Sequence, residues 1–229
     1  MRLLAAAVVV ALGVRVARSR HRRFLHPDGR SFTGTLEVWG ADEPLGAALL
    51  DRPGGHDVTV RISKGAGTRG TRPDIRGVAV RIGGLDLLLS STGRGPVTRR
   101  LPVPRRGFDT AYGTLTAYRT GTRKVMLDAV PDPEGPSLGR SLDAVPSSAR
   151  LLLRVAGRPI GRIALHRELP PAEDAALAFD PVRNAPADLH PTGTVHGVRA
   201  AAYRLSQRWR GATPARPNPE AVLRTNAHR

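Results

Sequence analysis

The chain of 229 residues has no cysteine, which excludes disulfides, thiolate metal sites and cysteine nucleophiles together. Lysine is almost absent as well. Only Lys64 and Lys124 occur, so the 36 basic residues less these two leave 34 arginines against 19 acidic residues. A formal charge of +17 ordinarily points to nucleic acid or an anionic membrane. Here the arginines run the whole length, interleaved with Gly, Pro and acids, a bias that a GC-rich genome produces without selection for a ligand; no nucleic-acid partner is expected. Aromatic residues make up only 4% of the chain, so neither a core nor a ligand site can rest on stacked rings.

Long apolar runs are lacking too. The one candidate, residues 3–14, is shorter than the roughly 20 residues a spanning helix needs. Arg15, Arg18, Arg20, Arg22 and Arg23 crowd its far side, where a secretory signal would carry small residues and a cleavage site. Residues 1–22 therefore read as an apolar and basic arm packed on the body, with peripheral membrane contact or export as alternatives. A cytoplasmic location fits that reading, with membrane association as its alternative.

Three motif searches exclude common chemistries. Gly65-Ala66-Gly67-Thr68-Arg69-Gly70 fits a dinucleotide-binding glycine pattern after a strand, but Pro73 sits where the next helix should run. The seven histidines show no H-E-x-x-H spacing. No G-x-S-x-G occurs, so a serine hydrolase would lack its nucleophile elbow.

What is present is β pattern. Short β-rich runs bounded by Gly or Pro fall at 35–39, 58–62, 78–82, 85–89, 114–118, 124–130, 150–155 and 161–166. Alternation in Val58-Thr59-Val60-Arg61-Ile62 and Val78-Ala79-Val80-Arg81-Ile82 gives each strand one inward face. Eight such strands suit an antiparallel barrel. Loops are expected at 93–107 and 131–146, where prolines accumulate. After a proline-punctuated connection, residues 198–210 carry Ala200, Ala201, Ala202 and Leu205 in helical company, and Pro214, Pro217 and Pro219 follow. The chain thus divides into the arm, one domain at 23–211, and an extended or disordered tail at 212–229.

Arg199 and Tyr203 are four residues apart, on one face of that helix. A cation beside a phenol favours phenolate, and phenolate can ligate iron. The pattern continues: Arg199-x-x-x-Tyr203-x-x-Ser206-Gln207-Arg208-x-Arg210 resembles the proximal haem motif of the catalase family, R-x-x-x-Y-x-x-T-H-R-x-R. Arg23-x-x-His26-x-x-Gly29 with Gly34-x-x-Glu37-Val38 is similar to the family's distal segment. Val60-Arg61-Ile62-Ser63, then Gly67, Arg69 and Gly70, then Arg76-Gly77-Val78-Ala79-Val80-Arg81, resemble the blocks that follow it. By itself His26 would read as a surface histidine before a Pro27-Asp28-Gly29 turn; in register with the other blocks it takes the distal position.

The resemblance implies an α+β, mainly β, catalase-like eight-stranded antiparallel barrel with a C-terminal haem-ligating helix. It implies haem b as cofactor, Tyr203 as axial iron ligand with Arg199 behind it, and Arg23, Arg61 and Arg210 as propionate partners. His26 becomes the distal acid-base residue, and Ser63 the hydroxyl that orients its ring. Ser90 stands in Asp86-Leu87-Leu88-Leu89-Ser90-Ser91-Thr92-Gly93 where the family has its distal asparagine, and the aromatic run that follows there is absent. With few aromatics, packing around the macrocycle is expected from aliphatics such as Leu25, Ile62 and Val78. The chain resembles the small barrel-only catalase-related haem peroxidases. They imply a hydrogen peroxide or organic hydroperoxide substrate, a separate electron donor, and room for oligomerisation. The alternative is a non-catalytic barrel serving as haem carrier or interaction module.

Overall fold

In the computed structural model, residues 26, 28–93, 95, 98–121, 123–181 and 183–192 are described. The expected arm at 1–22, the helix at 198–210 and the tail at 212–229 lie outside them, as do Arg23, Arg199, Tyr203 and Arg210.

Eight antiparallel strands close into a barrel: β1 (Asp28–Val38), β2 (Gly54–Lys64), β3 (Arg76–Ile82), β4 (Leu85–Ser91), β5 (Tyr112–Gly113), β8 (Leu127–Pro131), β9 (Arg150–Val155) and β10 (Arg158–Glu168). Their order is β1-β10-β9-β8-β5-β4-β3-β2, so the first and second strands seal the ring. Closure removes the free edges that an open sheet of this composition would expose. A separate small sheet holds β6 (Tyr118–Thr120), β7 (Arg123–Val125) and β11 (His190–Pro191). Two short helices, α1 (Ala48–Asp51) and α2 (Pro171–Ala176), complete the elements.

The interior follows from period-two alternation. Phe32, Leu36, Val58, Val60, Ile62, Val78, Val80, Leu87, Leu89, Leu151, Leu153, Ile163 and Leu165 are buried and share one core. Each such side chain contributes roughly 1.5–3 kcal/mol of transfer free energy. The outer face uses the arginines: Arg81 lies opposite Asp86 and Arg154 opposite Asp128, and both pairs are salt-bridged. Arg162 and Arg150 converge on buried Asp132. Several wall arginines are thus used in pairing with acids across neighbouring strands.

Two expected strands differ. The run at 114–118 contributes no barrel strand of its own; only Tyr112 and Gly113 span that position. Thr114 then turns its hydroxyl to the Leu127 N–H and the chain departs for the small sheet. The run at 124–130 is broken at Met126 into β7 and β8, which belong to different sheets. Strand propensity cannot register which sheet a segment joins. Among the described residues, the loops expected at 93–107 and 131–146 each hold one 3-10 turn, Thr98–Arg100 and Leu142–Ala144, and the first also makes isolated bridges at Pro102 and Arg105.

Candidate functional site

The site starts from a row of small residues. Gly29, Ser63, Gly77, Ser90 and Gly113 are register partners across β1, β2, β3, β4 and β5. Directly opposed residues share a face, so five adjacent strands present almost no side-chain bulk along one line. That face is the outer one, because Ile62 and Val78, one residue away, point into the core.

His26 uses the space so created. The Ser63 Oγ and His26 Nδ1 are 2.9 Å apart and hydrogen-bonded. A Cβ placed on Gly77 would lie 2.4 Å from His26 Cε1, 2.6 Å from Nδ1 and 2.8 Å from Ser63 Oγ. The imidazole therefore sits against bare backbone that only glycine supplies. The histidine backbone is itself in the left-handed region, at φ 59°, a conformation that costs a non-glycine residue about 1–3 kcal/mol and concentrates at functional sites. Its N–H is satisfied by the Gly65 carbonyl at 3.1 Å. The Ser63 contact engages Nδ1 and so fixes the orientation of the ring.

Arg61 occupies the next outward position on β2 and is only 4% exposed. Its guanidinium packs over Gly29, where a Cβ would approach Cζ to 2.5 Å. Nη1 donates to the His26 carbonyl at 3.2 Å and Nε to Asp174 Oδ1 at 3.0 Å. Asp174, on α2, also accepts from the Ser31 hydroxyl. One arginine thus ties the histidine backbone to the wall and pairs with an internal carboxylate. Sequence reading missed this carboxylate: it lies 113 positions from Arg61, in a short helix that carries no motif.

Ser90 is 8% exposed and stands on β4 directly opposite Gly77. Nearby, buried Asp86 accepts from Arg81 Nε and Nη2 at 2.7 and 2.8 Å, from Asp180 N at 2.7 Å and from Asn184 Nδ2 at 2.8 Å. This carboxylate fastens the segment around Phe179, whose ring lies under Arg81, to the same outer face. That segment leads toward residues 198–210. His26, Ser63, Ser90 and Arg61 are therefore brought to one face. Of the aliphatics expected around a macrocycle, Ile62 and Val78 are core residues on the face opposite Ser63 and Gly77, and Leu25 lies outside the described residues. Ala79 and Leu88, register partners of each other and of Arg61 in the outer row, are the aliphatics on the histidine side.

No protein-family model matches the chain, and no curated protein matches it in sequence. The fold is similar to that of a fungal catalase in its crystal structure, with a TM-score of 0.64 and 16% identity; the match covers 87% of this chain and 62% of the catalase. The chain accordingly spans less than two thirds of that neighbour's length. A likeness at this identity establishes a catalase-like barrel and leaves chemistry to the site.

Proposed function

We propose that the chain is a haem-dependent, catalase-related peroxidase acting on hydrogen peroxide or organic hydroperoxides. The observation that carries the reading is the 2.9 Å contact between Ser63 Oγ and His26 Nδ1 over the bare backbone of Gly77. It gives a histidine with one ring nitrogen fixed. Gly29, Gly77 and Gly113 let Arg61, His26 and Thr92 pack close against the strands, so a planar macrocycle would lie over these side chains. Haem, when bound, supplies the iron at which a peroxide is reduced.

The chain's own residues do the rest. Tyr203 would ligate the iron, with Arg199, four positions before it in sequence, favouring its phenolate. Arg23, Arg61 and Arg210 would hold the propionates; the Arg61 guanidinium also donates to Asp174. His26 Nε2 accepts a proton from the near oxygen of the peroxide and returns it to the departing one. Ser63 holds the ring in the orientation that this transfer needs. Ser90 offers one hydroxyl where the resembled family has an amide, so it positions peroxide less well and favours slow donor oxidation over fast disproportionation.

A second reading, a haem carrier without turnover, is favoured by two observations: the serine at position 90 and the pairing of Arg61 with Asp174. Donor oxidation by the haem-loaded full chain, supplied with hydrogen peroxide or an organic hydroperoxide, separates the two. The peroxidase reading expects turnover above that of free haem, abolished by His26→Ala with the haem spectrum retained. Haem binding without turnover transfers the assignment to the carrier.

A further inference from the structure

The end of the barrel at which β1 begins carries a charge pattern that haem chemistry does not use. Between Asp86 and Asp109 there is no acidic residue, while Arg94, Arg99, Arg100, Arg105 and Arg106 occur; between Asp57 and Asp74 there is again none, with Arg61, Lys64, Arg69 and Arg72 present. The fold brings these two acid-free stretches together. Asp74 and Arg105 form an antiparallel bridge, with Asp74 N to Arg105 O at 3.1 Å and Arg105 N to Asp74 O at 2.8 Å. Fully buried Arg76 fastens them from below: Nε donates to the Arg105 carbonyl at 3.1 Å, and Nη2 to the carbonyls of Arg72 at 3.2 Å and Arg106 at 2.9 Å. Asp74, between the two stretches, is 3% exposed and is spent on the backbone N–H groups of Ala66 and Thr68; Asp28 and Asp143 line a cavity with Lys64 and Arg69 on the other flank of loop 65–73, and no acid lies within loop 98–106. Arg69, Arg72, Arg99, Arg100 and Arg106 are left exposed on one surface.

Leu101 stands in the same surface. It follows the 3-10 turn Thr98–Arg100 and is 53% exposed, one of two large exposed apolar residues among those described; the other, Trp39, is at the far end of β1 and lies under Arg162. An exposed apolar side chain directly after Arg99 and Arg100, at a barrel end rich in exposed arginine, is the composition of an interfacial membrane contact. The described chain also begins here: His26 is hydrogen-bonded to Gly65, so the apolar and arginine-rich residues 1–25 join the body at the base of the basic loop. Nucleic acid is disfavoured, because among the described residues no exposed aromatic accompanies these arginines to stack on bases.

We propose that loops 65–73 and 98–106 form a docking surface for an anionic lipid bilayer, with the five arginines on headgroup phosphates and Leu101 entering the interface. The surface acts independently of haem, so it stands or falls apart from the peroxidase assignment. Burying one leucine is a small gain, and the arginines must supply most of the attraction, which salt will weaken.

The test is co-sedimentation of the full chain with vesicles of phosphatidylcholine alone and of phosphatidylcholine mixed with phosphatidylglycerol. Binding is expected to the mixed vesicles only. It should fall about tenfold or more in R99E/R100E, by the reversal of two interfacial charges, and by a smaller factor in Leu101→Ser. Both variants alter exposed side chains, and an unchanged melting temperature confirms that they fold. Equal binding to neutral vesicles would overturn the proposal, as would full retention by R99E/R100E, which assigns binding to residues 1–25 alone. An RNA or duplex DNA bound more tightly than the vesicles and lost in the same variants would also overturn it.

Discussion

His26 and Gly77 are in such close contact that a methyl group on the glycine would stand 2.4 Å from the imidazole Cε1. The ring's position therefore depends on a missing side chain. Gly77→Ala is expected to push the imidazole off Ser63 and destabilise the fold by about 1–3 kcal/mol, the usual range for overpacking. Peroxide-driven donor oxidation should drop much further than that stability loss explains. The His26 ring nitrogen signals in an NMR spectrum should shift. An unperturbed imidazole in the alanine variant would contradict the contact.

Ser63→Ala removes the hydrogen bond without adding bulk. Loss of a partner that orients a functional imidazole typically lowers activity about 10–100-fold. The melting temperature should move little, since one neutral hydrogen bond contributes only about 0.5–1.5 kcal/mol. Activity equal to the parent would show that the hydroxyl does not set the ring.

The Arg61–Asp174 pair should behave as a buried ion pair. Asp174→Asn leaves a nearly buried guanidinium short of its carboxylate and is expected to cost about 3 kcal/mol in urea unfolding. Replacing both partners with apolar residues, as in R61M/D174L, should recover much of that loss. If the single and double variants are equally unstable, the pair is not what holds α2 to β1 and β2.

These features were unevenly legible in the sequence. Alternation in 58–62 and 78–82 marked two barrel strands, and burial of Val58, Val60, Ile62, Val78 and Val80 follows from it. The same alternation already placed Ile62 opposite in sense to Ser63, so putting both beside a macrocycle conflicted with strand geometry. His26 and Ser63 were singled out through motif resemblance, whereas Gly77 stood in a resembling block with no role assigned, since a glycine needed for close approach looks like any turn glycine from composition. Asp174 left no trace, because pairing across 113 positions depends on closure of β1 against β2 and β10. The split of 124–130 into β7 and β8 was invisible for a related reason: both halves have strand composition, and only packing chooses the sheet.

Alkaline pH provides a test of the barrel alone. Tyr112 is fully buried, its hydroxyl donates to the Phe108 carbonyl at 2.6 Å, and burial pushes its phenol well above the ordinary value. The unfolded chain releases this proton near pH 10 and the folded chain does not. Stability is therefore full below about pH 10 and falls as pH rises beyond it. Tyr112→Phe should flatten that alkaline decline while costing about 1 kcal/mol at neutral pH for the lost hydrogen bond. Urea titrations at a series of pH values read both effects.

Haem binding through Tyr203 is the core of the proposed function, and the absorption spectrum of the full chain titrated with haem tests it directly. A Soret band should grow and saturate at one haem per chain, with the features of phenolate-ligated ferric iron, and Tyr203→Phe should lose them. Failure of any Soret band to develop, or a spectrum unchanged in Tyr203→Phe, would contradict the claim.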